Sequence, residues 1–218
     1  MIWMAHLALV VAVAYLCGSI PTGYWAGLLL KGIDIREHGS KSTGATNVLR
    51  TLGKGPAAVV LLIDVLKGVA AVGFARWLYG LPAIAAALPN LTTWLPWIIT
   101  LAALMAILGH SRSVWIRFTG GKSAATGLGV LLAMSWPVGL GILLVFGLVL
   151  AIFRIVSLGS IAAALAAVGL MWAFQQPLAF QLTALVGGLF VIWRHQANIQ
   201  RLLAGTEPRI GQKHSSDA

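Results

Sequence analysis

The chain alternates long apolar stretches with short polar ones, and the apolar stretches are long enough to be membrane-spanning helices. A helix needs about 20 apolar residues to cross roughly 30 Å of hydrocarbon. Three such stretches are clear, near residues 5–29, 57–79 and 94–109. A fourth region, 124–193, is almost wholly apolar, and the number of helices in it depends on where it is divided.

Region 124–193 can be divided in two ways. The first breaks it near Arg154 and Pro177 and gives three helices, at 124–153, 155–174 and 178–193. That makes six spans and puts both chain ends on the same side. The second adds a break at Ser135-Trp136-Pro137, because proline cannot continue the hydrogen-bond ladder of a helix. It gives four helices, at 124–136, 138–154, 158–174 and 178–193.

The distribution of charge favours the four-helix division. The mean hydropathy is +0.92 and only 9% of residues are charged, against roughly a quarter in a soluble domain. There are 15 Lys+Arg and 5 Asp+Glu, a net charge of +10, and cytoplasmic loops of membrane proteins collect Lys and Arg. With seven helices and the amino terminus outside, the basic residues fall in cytoplasmic segments and Arg76 alone lies outside.

We therefore predict an all-α polytopic membrane protein with seven transmembrane helices, some of them short or partial. The segment 124–136 is too short to span comfortably and needs shielding by protein. The amino terminus is expected outside and the carboxy terminus in the cytoplasm. Residues 1–204 are expected to form a single integral membrane domain, followed by a polar cytoplasmic tail at 205–218.

On this topology three polar segments share the cytoplasmic face, with a smaller one at 154–160. They are GSKSTGATNVLRTLGKG at 39–55, GHSRSVWIRFTGGKSAATG at 109–127 and RHQANIQRLLAGTE at 194–207. Ordinary positive-inside loops explain the charges, but they do not need paired glycines before a lysine, or a histidine followed by an asparagine one helical turn later. The segments therefore predict a shared site for anions, most readily phosphorylated ones.

The residue types in these segments are those that bind phosphate. Gly120 and Gly121 allow close backbone approach, and successive amides form an anion nest. Arg50 suits a bidentate phosphate contact and Lys122 a point-charge contact. Side-chain hydrogen bonds are available from Ser40, Thr46, Asn47, Ser157, Ser160 and Asn198.

Several familiar catalytic motifs are missing from the sequence. GGKS is not a Walker A loop, because position 116 holds Ile where the first glycine belongs. No histidine is followed five residues later by aspartate, and no serine lies in a G-x-S-x-G elbow. The histidines and acids lack metal-ligand spacing. We therefore expect no metal, no cofactor and no covalent nucleophile.

Asp64 and Lys67 lie within the second apolar stretch, three residues apart, where they can pair on one helix face. Charges within a membrane tend to face the protein interior. A structural pair that orients the first polar loop is favoured over a catalytic one.

Four segments, the three above and LLIDVLKG at 61–68, together resemble the bacterial acyl-phosphate:glycerol-3-phosphate acyltransferases, the PlsY family, over nearly the whole chain. The resemblance implies seven transmembrane helices in the inner membrane and a site that faces the cytoplasm. It implies transfer of a fatty acyl group from long-chain acyl phosphate to glycerol 3-phosphate, with lysophosphatidic acid and phosphate as products. Membrane lipid is the implied surrounding, with no nucleic acid and no obligate protein partner.

The resemblance also implies roles for individual residues. Ser40 and Arg50 match positions that hold the phosphate of glycerol 3-phosphate. Lys122, with the amides of Gly120 and Gly121, matches a position that contacts the phosphates of both substrates. His195 and Asn198 match a pair near the acyl phosphate, and with Lys122 they form the expected catalytic set. Ser160 matches a serine that contacts the acyl phosphate, although Ser157 is close enough in the sequence to be the matching position instead.

The chemistry needs positioning and charge neutralisation, because an acyl phosphate already has a good leaving group. The leaving phosphate or His195, whose imidazole titrates near neutrality, would accept the proton of the attacking hydroxyl. His195 is favoured as a ligand over a base.

The chain departs from the family motifs at a few positions. Lys41, Ser42 and Thr43 replace the usual glycine, asparagine and proline, and Ser123 replaces a glycine. We expect these changes to affect loop rigidity and rate, and not the type of reaction.

A transporter of small phosphorylated anions is the rival interpretation, because it would share basic loops and broken helices. The polar residues gather at one membrane face, however, and the midplane and the opposite face have no matching set. This pattern favours the enzyme.

Overall fold

The computed structural model describes residues 2–212, and their regular structure is helical apart from an isolated bridge between Ser113 and Thr119. The α-helices of this part of the chain are α1 Ile2–Ser19, α2 Thr22–Lys31, α3 Ala45–Thr51, α4 Lys54–Gly80, α5 Pro82–Ala86, α6 Leu91–Ser111, α7 Ala124–Met134, α8 Trp136–Phe153, α9 Val156–Ala173, α10 Leu178–Arg194 and α11 Gln196–Leu203. Short 3₁₀ turns lie at Ile35–Glu37 and Val114–Ile116.

Within residues 2–212, five helical segments are long and apolar enough to cross a membrane. They are Trp3–Lys31, Lys54–Gly80, Leu91–Ser111, Trp136–Phe153 and Val156–Ala173. Helices α10 and α11, bent by 62° at their junction, make a sixth candidate. Helix α7 has only 11 residues. The chain is thus an all-helical, multi-pass membrane protein, whereas the seventh span and the orientation of the ends stay predictions.

Two of the breaks between helices lie beside a proline. The chain leaves the helical conformation at Ser135, and Pro137 stands in the first turn of α8, where its missing N–H costs nothing. The predicted break at this place is confirmed, and the division with one helix over 124–153 is wrong. Pro21 causes a second break, between α1 and α2, inside the stretch that the sequence presented as one helix.

Small residues bring the helices into close contact. A Cβ atom at Gly18 would collide with the backbone of Ala106, so α1 and α6 pack almost backbone to backbone. A Cβ at Gly68 would meet the Thr126 carbonyl, and one at Gly129 would meet Val65. Helix α7 is therefore held tightly against α4, which provides the shielding that a short apolar helix needs.

A buried ionic cluster joins α4 to the break between α1 and α2. Lys67 Nζ lies 2.8 Å from Asp64 Oδ1 and donates a hydrogen bond to the Ile20 carbonyl at 3.0 Å. The Thr22 hydroxyl donates to the same carboxylate oxygen at 2.6 Å. The predicted pairing of Asp64 with Lys67 is confirmed, and its partners show that it ties the second helix to the fourth.

Candidate active site

A cavity of about 680 Å³ lies among α4, α7, α8, α9 and α10. At one end, called here the polar end, side chains from all three polar segments and from 154–160 meet. The predicted site residues that line the cavity are Ser40, Thr46, Asn47, Arg50, Lys122, Ser157, Ser160, His195 and Asn198. The rest of the lining is mainly apolar, and its polar members are Ser42, Asp64, His110, Ser123, Thr183 and Glu207. The fold therefore brings together residues that are up to 158 positions apart (Asn198 against Ser40).

The first polar segment is folded around one side chain. Asn47 is only 1% exposed, and its amide donates to the carbonyls of Ile35 at 3.0 Å and Ser42 at 2.8 Å. Its oxygen accepts from the Ser40 amide at 2.8 Å. All of these contacts are internal, so Asn47 shapes the loop that presents Ser40. Arg50, three residues further along α3, is left to face the cavity, and its burial lowers the pKa of the guanidinium.

Lys122 is a half-buried cation among other cations. Its Nζ donates to Asn198 Oδ1 at 2.5 Å. Burial, reinforced by repulsion from Arg201, Arg50 and Arg194, lowers the pKa of Lys122 to about 8, although the Glu207 carboxylate works in the opposite direction. An arriving phosphate would relieve this repulsion, so the surroundings of Lys122 favour an anion.

Glu207 is a site residue that the sequence analysis missed. It is 7% exposed, and one carboxylate oxygen accepts from Asn198 Nδ2 at 2.6 Å and from the Ser157 hydroxyl at 2.8 Å. Arg201 Nε donates to the other oxygen at 2.7 Å. Burial alone would raise the pKa of Glu207, but these hydrogen bonds outweigh it and hold the pKa below its ordinary value. The amide of Asn198 is thus fixed between a carboxylate and Lys122.

The two candidate serines of α9 have different surroundings. The Ser157 hydroxyl donates to Glu207, so it is engaged in holding the carboxylate. The Ser160 hydroxyl donates to the Val156 carbonyl at 3.0 Å, a local helical bond that it can exchange for a phosphate oxygen. Ser160 is therefore the better placed of the two to contact a ligand.

His195 lies at the bend between α10 and α11. Its Nδ1 is 2.7 Å from the Val191 carbonyl oxygen. A carbonyl can only accept, so Nδ1 carries a proton and Nε2 is the acceptor of the neutral ring. His195 lines the cavity, and a neutral ring in this tautomer can take a proton there but cannot donate one.

Gly120 and Gly121 pack behind Lys122. A Cβ at either glycine would collide with His110, and the Gly121 amide donates to the His110 carbonyl at 3.1 Å. The Gly121 carbonyl accepts from Arg194 at 3.1 Å and from Ser111 at 2.9 Å. The Gly121 amide is therefore occupied within the protein, and the two glycines act by their small size, which lets the loop lie flat on α6.

Two of the departures from the family motifs occur in left-handed backbone. Lys41 has φ +56° and Ser123 has φ +63°, conformations that glycine adopts without cost. The buried Ser123 hydroxyl donates to the Ile107 carbonyl at 2.7 Å and lies 2.8 Å from the Ser111 hydroxyl. The chain thus keeps the turn of a glycine at Ser123 and ties it to α6 with side-chain hydrogen bonds.

The carboxy-terminal segment also belongs to the site. Besides Glu207, Ile210 lines the cavity, and its amide donates to the Arg154 carbonyl at 2.8 Å. The predicted tail from 205 onward therefore contributes to the site over its first residues. Residues 213–218, among them Lys213, lie outside the described residues.

Together, the helical membrane fold and the cationic polar end define a membrane protein that binds anionic substrates. The family model described as glycerol-3-phosphate acyltransferase matches residues 8–205. The glycerol-3-phosphate acyltransferase of Acaryochloris marina is 58% identical, over 100% of this chain and 99% of its own length. Glycerol-3-phosphate acyltransferase 2 of Rhizobium johnstonii is 61% identical over 96% of this chain and 98% of its own.

The fold agrees with solved structures. The crystal structure of PlsY, an integral membrane glycerol 3-phosphate acyltransferase, in its glycerol 3-phosphate form is 35% identical with a TM-score of 0.81. Its lysophosphatidic acid form is 36% identical with a TM-score of 0.80, and both matches cover 94% of this chain and 96% of the other. This chain belongs to the glycerol-3-phosphate acyltransferase family. It is accordingly an acyltransferase, and it works as a multi-pass membrane enzyme.

Proposed function

We propose that this enzyme transfers a fatty acyl group from acyl phosphate to glycerol 3-phosphate at the cytoplasmic face of a bacterial inner membrane. The products are lysophosphatidic acid and phosphate. The observation that carries the proposal is the shape of the cavity: Arg50 and Lys122 stand at its polar end, and a mainly apolar part extends from there. Two phosphates fit the cationic end, and one hydrocarbon chain fits the remainder.

We assign the glycerol 3-phosphate phosphate to Ser40 and Arg50, with the hydroxyl of Thr46 nearby in the same lining. The acyl phosphate lies against Ser160, His195 and Asn198. Lys122 stands between the two and offsets the repulsion of two phosphates that must approach each other.

The reaction then needs no covalent intermediate. The glycerol hydroxyl attacks the carbonyl carbon of the acyl phosphate, the new ester bond forms, and the bond to phosphate breaks. The proton of the hydroxyl has two acceptors, the leaving phosphate itself and Nε2 of His195. The protein contributes by holding the reactants in line, which makes a bimolecular step effectively unimolecular, and by stabilising the negative charge of the phosphates.

The identity of the donor is tested by comparing two acyl donors. Purified enzyme in detergent receives glycerol 3-phosphate with either palmitoyl phosphate or palmitoyl-CoA, and lysophosphatidic acid is measured by mass spectrometry. We expect product from the acyl phosphate alone, because the chain has no H-x-x-x-x-D dyad. Equal turnover with acyl-CoA would contradict the proposal.

The cytoplasmic orientation rests on the basic residues, which follow the positive-inside rule. We propose seven spans with the amino terminus outside. A Lys213→Cys variant in a Cys17→Ala background should resist an impermeant thiol reagent in intact cells and react in inverted vesicles. Labelling in intact cells would favour the six-helix topology that puts both ends outside.

A further inference from the structure

We propose that the apolar part of the cavity measures the acyl chain, and that Ala167 and Ala184 set the longest chain that the enzyme accepts. The inference rests on the proposed function, because the occupant is the hydrocarbon chain of the acyl phosphate. The apolar part, called here the acyl slot, is lined by side chains of five helices. Among them are Val65, Leu131, Ile142, Phe146, Ala167 and Ala184.

The depth of the whole cavity, from the polar end to the far end of the acyl slot, matches one acyl chain. On α10 the lining runs from His195 back to Thr183, twelve residues, or about 18 Å at 1.5 Å per residue. On α9 it runs from Ser157 to Ala167, ten residues, or about 15 Å. The hydrocarbon core of a bilayer is roughly 30 Å thick and holds two opposed chains, so one chain reaches about 15 Å.

The far end of the acyl slot is closed by the core. Beyond its last lining residues, Met134, Met171 and Phe180 are buried at 4%, 0% and 4% exposure. The Thr183 hydroxyl at this end is already 2.9 Å from the Thr100 hydroxyl. A chain that enters from the polar end therefore meets packed side chains where the lining ends.

Small side chains make room along one wall of the slot. Helices α9 and α10 line it with Ala163, Ala164, Ala167, Ala184, Gly187 and Gly188. Of the alanines that line the cavity, Ala167 and Ala184 are the furthest from the phosphate end on their two helices, and both are buried. A larger side chain at either position would fill the space that the last carbons of the chain need.

The other wall gives the chain a way in from the lipid. Leu61 and Leu62 on α4 and Leu143 on α8 line the cavity and are also 47%, 58% and 44% exposed. Side chains in this position face hydrocarbon in a membrane. The acyl tail can therefore enter sideways, and the closed end then limits the length of chain that stays within the slot.

The test compares acyl phosphates of increasing length, from lauroyl through myristoyl and palmitoyl to stearoyl phosphate. We expect Ala184→Leu to lower kcat/KM for the longest donors about tenfold or more relative to lauroyl phosphate, as a pocket of fixed size does when a few methylenes no longer fit. Ala167→Val should shift the preference in the same direction by less. Ile142→Ala, which removes bulk from the slot, should shift it toward longer chains.

The matched control is Ala166→Leu, which adds the same bulk on α9 beside Ala167 but away from the cavity lining. It should leave the ratio between donors unchanged. Equal losses for all donors in Ala184→Leu and Ala167→Val, or an unchanged ratio in both, would overturn the inference while the proposed function stands. If unmodified enzyme uses none of the acyl phosphates, the proposed function fails and the inference fails with it.

Discussion

Lys122 and Asn198 are joined by a hydrogen bond of 2.5 Å between Nζ and Oδ1, although 76 residues separate them in the chain. The other end of the same amide is bound to Glu207. The Glu207 carboxylate, the Asn198 amide and the Lys122 ammonium group thus form one line of hydrogen bonds that ends in the cavity. This line is the part of the site whose disturbance should be most visible in kinetics.

The first prediction concerns pH. The pKa of Lys122 is about 8, so the ammonium form is present below that pH and is lost above it. Phosphate monoesters are already dianionic above about pH 6, so the substrate charge stays constant. We expect kcat/KM, which reports the free enzyme, to fall as the pH rises through about 8.

A Lys122→Arg variant provides the control for this prediction. A guanidinium keeps its charge throughout the range, so the fall above pH 8 should disappear even if the variant is slower overall. If kcat/KM of Lys122→Arg still fell above pH 8, the fall would come from the titration of a group other than Lys122.

The second prediction concerns Arg50. Arg50→Ala should raise the KM for glycerol 3-phosphate roughly ten- to a hundredfold, because a charge-assisted hydrogen bond is worth about 1.5–3 kcal/mol. Arg50→Lys should restore only part of the affinity, since lysine cannot make the bidentate contact. Lys54→Ala removes an exposed cation from the first turn of α4 and should leave KM unchanged. A normal KM in Arg50→Ala would remove Arg50 from the site.

The third prediction concerns Glu207. Glu207→Gln removes the negative charge of the carboxylate that accepts hydrogen bonds from Asn198, Ser157 and Arg201. We expect kcat to fall about tenfold or more, because the side chain of Asn198 is then held less firmly. The carboxylate also favours the ammonium form of Lys122, so the alkaline limb of kcat/KM should move to lower pH. Glu37→Gln, at an exposed acid, is the matched control. A slower variant with an unmoved pH profile would mean that Glu207 holds Asn198 in place but does not affect the charge of Lys122.

The fourth prediction concerns Ser123. Both Ser123→Ala and Ser123→Gly remove the hydrogen bond to the Ile107 carbonyl. Alanine must still adopt the left-handed backbone conformation at this position, whereas glycine adopts it without steric cost. Left-handed backbone costs a non-glycine residue roughly 1–2 kcal/mol. Ser123→Ala should therefore melt below Ser123→Gly in a thermal unfolding scan in detergent. The reverse order would show that the backbone is not strained there.

Features that depend on local chemistry could be predicted from the sequence. The break before Pro137 follows from the missing N–H of proline, and the candidate residues from Ser40 to Asn198 follow from their chemical types. The break at Pro21 was missed because the apolar run continues through it. The local signal of a proline was present there, but it competed with an uninterrupted hydrophobic pattern.

Features that depend on packing could not be predicted. Glu207 is an acid in a site recognised by its cations, and only the fold places it beneath Asn198. It ends the third polar segment and is one of 5 acids in the chain, which is the only sequence signal it gives. The sequence predicts that the Gly121 N–H binds an anion, yet in the structure it donates to the His110 carbonyl. That hydrogen bond is formed only when the loop after α6 folds back onto the end of α6.

The stoichiometry of the reaction in purified enzyme tests directly whether the site joins the two substrates in one step. With palmitoyl phosphate and glycerol 3-phosphate, released phosphate and lysophosphatidic acid are measured in the same samples over time. Above the rate of spontaneous hydrolysis without enzyme, the site predicts one phosphate for each lysophosphatidic acid, no release without glycerol 3-phosphate, and loss of both products together in Lys122→Ala. Phosphate released without lysophosphatidic acid, or undiminished turnover in Lys122→Ala, would contradict it.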